Sequence, residues 1–464
     1  MHDLPERGVG VIYAPGLEPL LAAGGDLIDV VEIEPQAFWF AGAGPGDIAA
    51  PARRIIEAAG LDHRPALVHG VGAPIGGTVT PTDDQMASLA SIAAQLDSAW
   101  VSEHLSFNHA RIHGQVAATG LMLPSPQTEL SAELAASTIT TYRQRLDRPF
   151  AFETGVNYRR TQPDEMRDGA WWRRVAERAD CGIVLDLHNV WCNARNGRQS
   201  LDDLFDELPL DRVWEIHLAG GERVDGVWLD AHSGLVDDEL LAIAATVIPH
   251  LPALRAVVFE IVPEYLLARD IGAPAIRAML EEVHHLWDER RTRVGVAGTR
   301  PATTVRAPAD VSPLARAESE LALTVLEGQS DDPGVKVMGR LVEAIRRGLT
   351  VTVLPLSLRL LRLSTGPEAV EAVLAECWRR HPPELYADAE AAHVAAVARE
   401  LFGDRAPHLD EVLDYELALV DLARTGAAPT VAFTCEPLEL LGALGRGELP
   451  DALVPGVFEL SVVA

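Results

Sequence analysis

Short apolar runs punctuate the first 290 residues, and stretches with helical spacing separate them. Eight runs stand out: GVGVIY (8–13), DVVEIE (29–34), ALVHGVG (66–72), AWVSEHLSF (99–107), FAFETG (150–155), CGIVLDLHN (181–189), RVWEIHLAG (212–220) and AVVFEIVP (256–263). Most are rich in Val and Ile and nearly continuous, the pattern of parallel strands covered on both faces. At 82–97, 128–146 and 237–247, apolar residues return every three or four positions, as on the buried face of a helix. Strand alternating with helix eight times predicts an α/β chain whose first part closes into a (β/α)8 TIM barrel. An open doubly wound sheet is the competing arrangement, but no run leads into a Gly-x-Gly-x-x-Gly turn. The nearest segment, AGAGPGD at 41–47, contains a proline and reads as a loop.

The periodicity fails from 291 to 312, where Gly, Pro and Thr collect, so this stretch reads as a linker closing a domain of residues 1–290. Beyond it, 313–327, 335–348, 366–380, 387–402 and 409–425 read as helices, and 430–434 and 457–463 as strands. A smaller, mainly α domain with a few strands is therefore expected over 313–464. Its histidines, His381, His393 and His408, read as isolated residues in surface or capping roles.

Composition narrows the chemistry. The formal net charge of −29 leaves little to neutralise phosphates, so nucleic acid is not an expected partner. No apolar run approaches the roughly 20 residues that cross a bilayer, and the start lacks the basic-then-apolar order of a signal peptide. No membrane partner is expected, and the expected location is the cytoplasm. Cys181, Cys192, Cys377 and Cys435 form no Cys-x-x-Cys pair, which argues for free thiols over a disulfide framework or a thiolate zinc site. Lys336 is the only lysine, so no Schiff base or phosphate-loop lysine is available before it.

The active site of such a barrel lies at the C-terminal ends of its strands, which directs attention to polar residues late in each run. These are His69, Glu103 and His104, Glu153, Asp186 and His188, His217 and Glu260, with Asp230 and His232 just after the seventh run. Residues two apart on an extended segment point the same way, so Asp186 with His188, and Asp230 with His232, read as two-point clamps. Any one of these could be a hydrogen-bonded core residue or a cap. Together they include five of the chain's fifteen histidines, and burying so many ionisable groups unpaired would cost several kcal/mol per charge. Metal cations are the simplest compensation. Imidazole with carboxylate suits Zn, Fe, Mn or Co, and the number of donors exceeds what one ion needs.

Several motifs then combine: HGVG (69–72), SEHLSF (102–107), the strand-end Glu153, LDLHNVWCNARNG (185–197), EIHLAG (215–220) and Asp230-Ala-His232. In this order, over roughly residues 8–285, they resemble the multinuclear non-heme iron-dependent oxidative enzymes, a family that includes the methanobactin-biosynthesis oxidase. The resemblance implies a xylose isomerase-like barrel holding two or three irons, with O2 as co-substrate. It also implies oxidation of a cysteine or other side chain in a ribosomally made precursor peptide. On the same basis His69, His104 and Glu153 look like ligands of one iron, with Glu153 bridging to a second held by Asp186, His217 and Glu260. His188, Asp230 and His232 look like a third set. Many relatives have Asn in place of His188 and Thr154, and Asp-His in place of Ser233 and Gly234. The family usually works with a separate partner protein that presents the peptide. HPPELYADAEAAH (381–393) and HLDEVLDYELAL (408–419) look similar to such partners, which implies a fused peptide-recruiting domain. Read from the residues alone, a zinc or manganese hydrolase or isomerase, or a non-enzymatic metal or peptide chaperone, is also compatible.

Overall fold

The structure is a computed structural model that describes residues 2–14, 16–18, 21, 24–41, 64–291, 298–299, 305–450 and 452–462. Two compact units divide the chain: one comprises Met1–Phe38, Gly44–Val116 and Met122–Gly339, the other Trp39–Ala43, Ala117–Leu121 and Arg340–Ala464. Half of the expected linker at 291–312, and all of AGAGPGD except Ala41, lie outside the described residues.

The first unit contains the expected barrel. Its strands are β1 (Gly8–Tyr13), β2 (Val30–Ile33), β3 (Ala66–Gly70), β4 (Val101–His104), β5 (Phe150–Glu153), β6 (Gly182–Asp186), β7 (Val213–Ala219) and β8 (Ala256–Glu260). They are parallel and close in sequence order, with β8 pairing back to β1 through Val257–Val9 and Phe259–Val11. Each falls inside one of the apolar runs, and nearly every strand residue is buried, as a sheet covered on both faces requires. Helices follow at Asp83–Gln95, Glu129–Leu146 and Asp238–Val247. The first two begin at threonine caps, where the Thr82 and Thr128 hydroxyls accept from the backbone N–H of Gln85 and Ser131.

The run at 99–107 is not one strand. Barrel strand β4 ends at His104, and Ser106 opens a hairpin with strands Ser106–Ile112 and Gln115–Pro124. Its two-residue turn has positive φ at His113 (49°) and Gly114 (82°), the backbone of a type I′ connection. The helix Ser312–Glu327 belongs to the barrel's unit, where the buried Glu318 carboxylate accepts the Thr78 N–H at 2.9 Å.

The period of two along each strand decides what the barrel encloses. Val30, Leu67, Trp100, Ala151, Val184 and Ala256 form one buried apolar layer. Two or four residues farther along the same strand faces come His69, His104, Glu153, Asp186 and Glu260. An apolar floor therefore lies beneath a polar mouth.

In the second unit the expected helices appear as Pro367–Arg380, Ala387–Phe402 and Leu409–Thr425, and the strands as an antiparallel pair, Thr430–Cys435 with Pro455–Ser461. Two further helices, Pro355–Thr365 and Pro437–Arg446, which the sequence pattern did not predict, begin at prolines. Proline at the first helical position loses no hydrogen bond, so it marks a start there. The histidines of this unit are not isolated. The His381 and His393 rings stack with centroids 4.1 Å apart, and His408 Nδ1 lies 3.1 Å from Glu411 Oε2 with Cys435 close by. That second group is satisfied internally, because Thr434 also donates to Glu411.

Gly182 tests the packing of the floor. A Cβ there would overlap the Trp214 indole. Gly182→Ala should cost roughly 1–3 kcal/mol by overpacking. The exposed helical Gly348 has open space around it, and Gly348→Ala should gain up to about 1 kcal/mol. Urea midpoints moving in opposite directions with unchanged slopes are the expected result.

Candidate metal centre

Three strands supply the first group of donors. His69 is the next-to-last residue of β3, His104 ends β4 and Glu153 ends β5, and the pairing aligns His104 with Glu153. Glu153 Oε2 lies 2.9 Å from His69 Nε2 and 3.1 Å from His104 Nδ1. Ser102 Oγ, 2.8 Å from His69 Nδ1, fixes which ring nitrogen faces the centre. Burial, with His217 next in importance, pushes the His69 pKa down to about 3, and burial likewise pushes His104 down to about 4. Both imidazoles are therefore neutral near pH 7, the form that can ligate a metal.

Three further groups are linked to it in a chain of shared donors: Glu153, Asp186 and His217, which shares Glu153 with it; Asp186, His232 and Glu260; and Glu32, His217 and Glu260. Within each group the candidate donor atoms all lie within 4.8 Å of one another. His217 Nδ1 is 3.3 Å from Glu260 Oε1, and His232 Nε2 is 3.2 Å from Glu260 Oε2. Burial, then the neighbouring Asp230, raises the Asp186 pKa well above the usual carboxylate range. Burial opposes charge on His217, but Glu260 and Glu32 outweigh it and raise that pKa.

His188 is placed differently from expectation. The strand stops at Asp186, which caps the helix Leu187–Arg195, so His188 lies in a first helical turn and not on an extended segment. It belongs to none of the four barrel donor groups just described. Its Nδ1 stands 3.4 Å from Asp230 Oδ1, and that same oxygen is 2.8 Å from His232 Nε2. Asp230 thus lies between the two histidines. His232 reaches it from a left-handed backbone (φ 45°), an uncommon conformation for a non-glycine residue.

Glu103 faces away from the centre, since Ser102 and His104 occupy the inner positions of β4. Its carboxylate accepts the Ala73 and His104 N–H groups, at 3.1 and 2.9 Å, and burial pushes its pKa up to about 8. Glu32 and Asn189 went unrecognised in the sequence. Glu32 was a visible signal, a carboxylate inside an otherwise apolar strand run. Asn189 braces two donors, giving its backbone N–H to Asp186 Oδ1 (2.8 Å) and its side-chain amide to Asp186 Oδ2 (2.9 Å) and Glu153 Oε1 (3.3 Å). Thr154 Oγ1 accepts the Asp186 N–H at 3.0 Å.

The donor set fits metal ions. Glu153 Oε2, Glu260 Oε2, Asp230 Oδ1, His232 Nε2, His188 Nδ1 and both His217 ring nitrogens are buried without a hydrogen bond. Such atoms are costly unless a cation faces them.

Comparison with known proteins adds the relationship. A UPF0276 protein of Chromobacterium violaceum is 33% identical over 176 residues, 38% of this chain and 62% of that protein. The chain thus spans less than two thirds of that relative. A UPF0276 protein of an Anaeromyxobacter species is 31% identical over 205 residues, 44% of this chain and 68% of that protein. Among solved structures, D-psicose 3-epimerase from Clostridium cellulolyticum H10 aligns over 61% of this chain and 97% of its own, with 12% identity and a TM-score of 0.37. That likeness says nothing about the reaction. The family model described as "RiPP precursor modification enzyme MbnB/TglH/ChrH" matches residues 10–288, the whole span of the barrel strands from β2 on and of every donor just placed, and the chain belongs to that family.

Proposed function

We propose that this chain is an O2-dependent oxidase that holds two or three iron ions at the barrel mouth and modifies a side chain, cysteine first among candidates, of a ribosomally made precursor peptide. The observation that supports it is the sharing of donors. Glu153, Asp186, His217 and Glu260 each belong to two of the four groups, the arrangement expected when carboxylates bridge adjacent ions. Membership in a peptide-modifying family supplies the substrate class. Iron bound there would supply the redox chemistry that passes electrons from the peptide to O2. The chain's own residues keep the centre ready: buried, neutral His69 and His104 offer lone pairs, and Ser102, Thr154 and Asn189 fix the rings and carboxylates.

The peptide is proposed to be recruited by the C-terminal unit, which would do in one chain what a separate partner does for relatives. The two-stranded sheet Thr430–Cys435/Pro455–Ser461 offers outer edges to which an extended peptide could add by main-chain hydrogen bonds. The acidic charge disfavours nucleic acid as the substrate.

The test is metal analysis of protein purified without oxygen, followed by addition of the precursor peptide and O2. More than one equivalent of iron, peptide-dependent O2 uptake and a changed peptide mass are expected. Colourless zinc protein that cleaves or isomerises its substrate without O2 would overturn the oxidase reading.

Glu153→Ala and His217→Ala should each lose metal and activity together, because each removes a donor shared by two groups. His232→Ala should lower the metal count by no more than one ion. Inductively coupled plasma mass spectrometry reads both, and full loading of the first two variants would contradict the assignment.

Cys192 is fully buried, with Sγ 3.5 Å from His188 Nε2, and burial drives its thiol far above the usual range. A thiol held protonated is neither nucleophile nor ligand. Cys192→Ser should therefore keep its metals and its turnover, and a fully metallated but inactive variant would show otherwise.

A further inference from the structure

Two carboxylates inside the barrel have no assigned role beyond the place of Glu32 in one donor group. Glu32 and Glu215 are fully buried. Register places both below the mouth: Glu32 pairs with Leu67, two residues before His69, and Glu215 lies two residues before His217. Glu215 is anchored by the Trp100 indole, which donates to Oε2 at 2.8 Å. Glu32 has no such anchor, and the His217 imidazole is the described donor that faces it. Its Oε1 stands 3.1 Å from His217 Nε2, while Glu215 Oε1 is 3.9 Å from the same nitrogen.

His217 therefore stands between two layers of carboxylates. Nδ1 faces Glu260 on the mouth side at 3.3 Å, and Nε2 faces Glu32 on the floor side. A neutral imidazole ligates through one nitrogen and carries its proton on the other, and a carboxylate behind that proton sets tautomer and ring orientation. The shared donors Glu153, Asp186 and Glu260 all end their strands at the mouth, so the ligating nitrogen is the one on that side.

We infer that Glu32 is a positioning residue of the metal centre: it accepts the Nε2–H of His217, fixes the tautomer whose Nδ1 lone pair is free, and aims that lone pair at the position shared with Glu153 and Asp186. This rests on the metal-centre reading above. Glu215, tied to Trp100, faces the same His217 nitrogen from 3.9 Å and limits the ring's alternatives. The competing role for Glu32 is direct ligation, since its oxygen lies within ligand distance of the His217 and Glu260 donors.

The experiment uses full-length protein, metal-free and then loaded without oxygen with Fe(II), and separately with Co(II) as a spectroscopic probe. Wild type, Glu32→Gln and Glu32→Ala are compared for ion count, chelator competition and cobalt d–d absorption, with circular dichroism as the fold control. Glu32→Gln keeps the shape and should retain the full ion count. Its weaker acceptor should lower the affinity of one ion by about tenfold and shift the cobalt bands, with the affinities of the remaining ions unchanged. Glu32→Ala should extend the loss towards about 100-fold for the same ion. Unchanged affinity and spectrum in Glu32→Gln overturn the inference, whether or not the alanine variant folds. Loss of one whole ion from Glu32→Gln also overturns it, by making Glu32 a ligand. Wild-type protein that binds no metal defeats the metal-centre reading itself, whereas loaded wild type with indifferent Glu32 variants defeats only the positioning role.

Discussion

The enclosure of like charges by a closed sheet governs this molecule. Eight parallel strands leave no edge, and their inner faces admit one residue in two. At the mouth those inner positions are occupied by Glu153, Asp186, Glu260, His69, His104 and His217, with His232 delivered by the loop after β7. Carboxylates this close repel when ionised and are costly to bury, so the arrangement is stable only with protons or cations among them. Much of the surrounding structure serves that condition. Trp100 and its apolar layer close the floor, Asn189 and Thr154 hold Asp186 from two directions, and the Trp100 indole donates to the buried Glu215.

Protons and metal ions compete for the same atoms here. Burial, reinforced by Asp230, keeps the Asp186 carboxyl protonated well above the usual carboxylate range in metal-free protein. Loading must displace that proton, so ion affinity rises with pH across the interval in which it is released. His69 and His104 behave oppositely, because burial favours their neutral forms and their lone pairs are available without proton loss. The first group, with its two neutral imidazoles, is thus better prepared for an ion than the groups built around Asp186.

The barrel was legible because its strands are buried on both faces and so appear as continuous apolar runs, which no hairpin protein would repeat with helices between. Where the run was longer than the strand, the reading blurred. AWVSEHLSF merges β4 with the start of a hairpin, and its His113-Gly114 turn lacks the usual Asn-Gly or Asp-Gly signal. Most candidate donors were legible from position alone, because the mouth lies where strands end. Glu32 was not, since it sits a layer lower and the search favoured strand ends. His188 was assigned to an extended pair because DLH continues an apolar run, but the chain turns helical at Leu187.

Asp186 shows how one residue joins fold to chemistry. It is the last residue of β6 and the cap of the helix that follows, so its backbone is extended while its Oδ1 accepts the Asn189 N–H. The helix N-terminus favours negative charge there, against the burial that disfavours it. Oδ2 is held by the Asn189 amide, which also touches Glu153. Each carboxylate oxygen has further acceptor capacity, so both can still face ions while the group as a whole has little freedom to rotate. A strand that ran two residues farther would have aligned His188 with Asp186, as the sequence suggests, but would have removed this brace. The early turn into helix instead gives up one collinear donor and fixes a shared one, which suits a centre whose groups overlap at Asp186 more than one built from separate clamps.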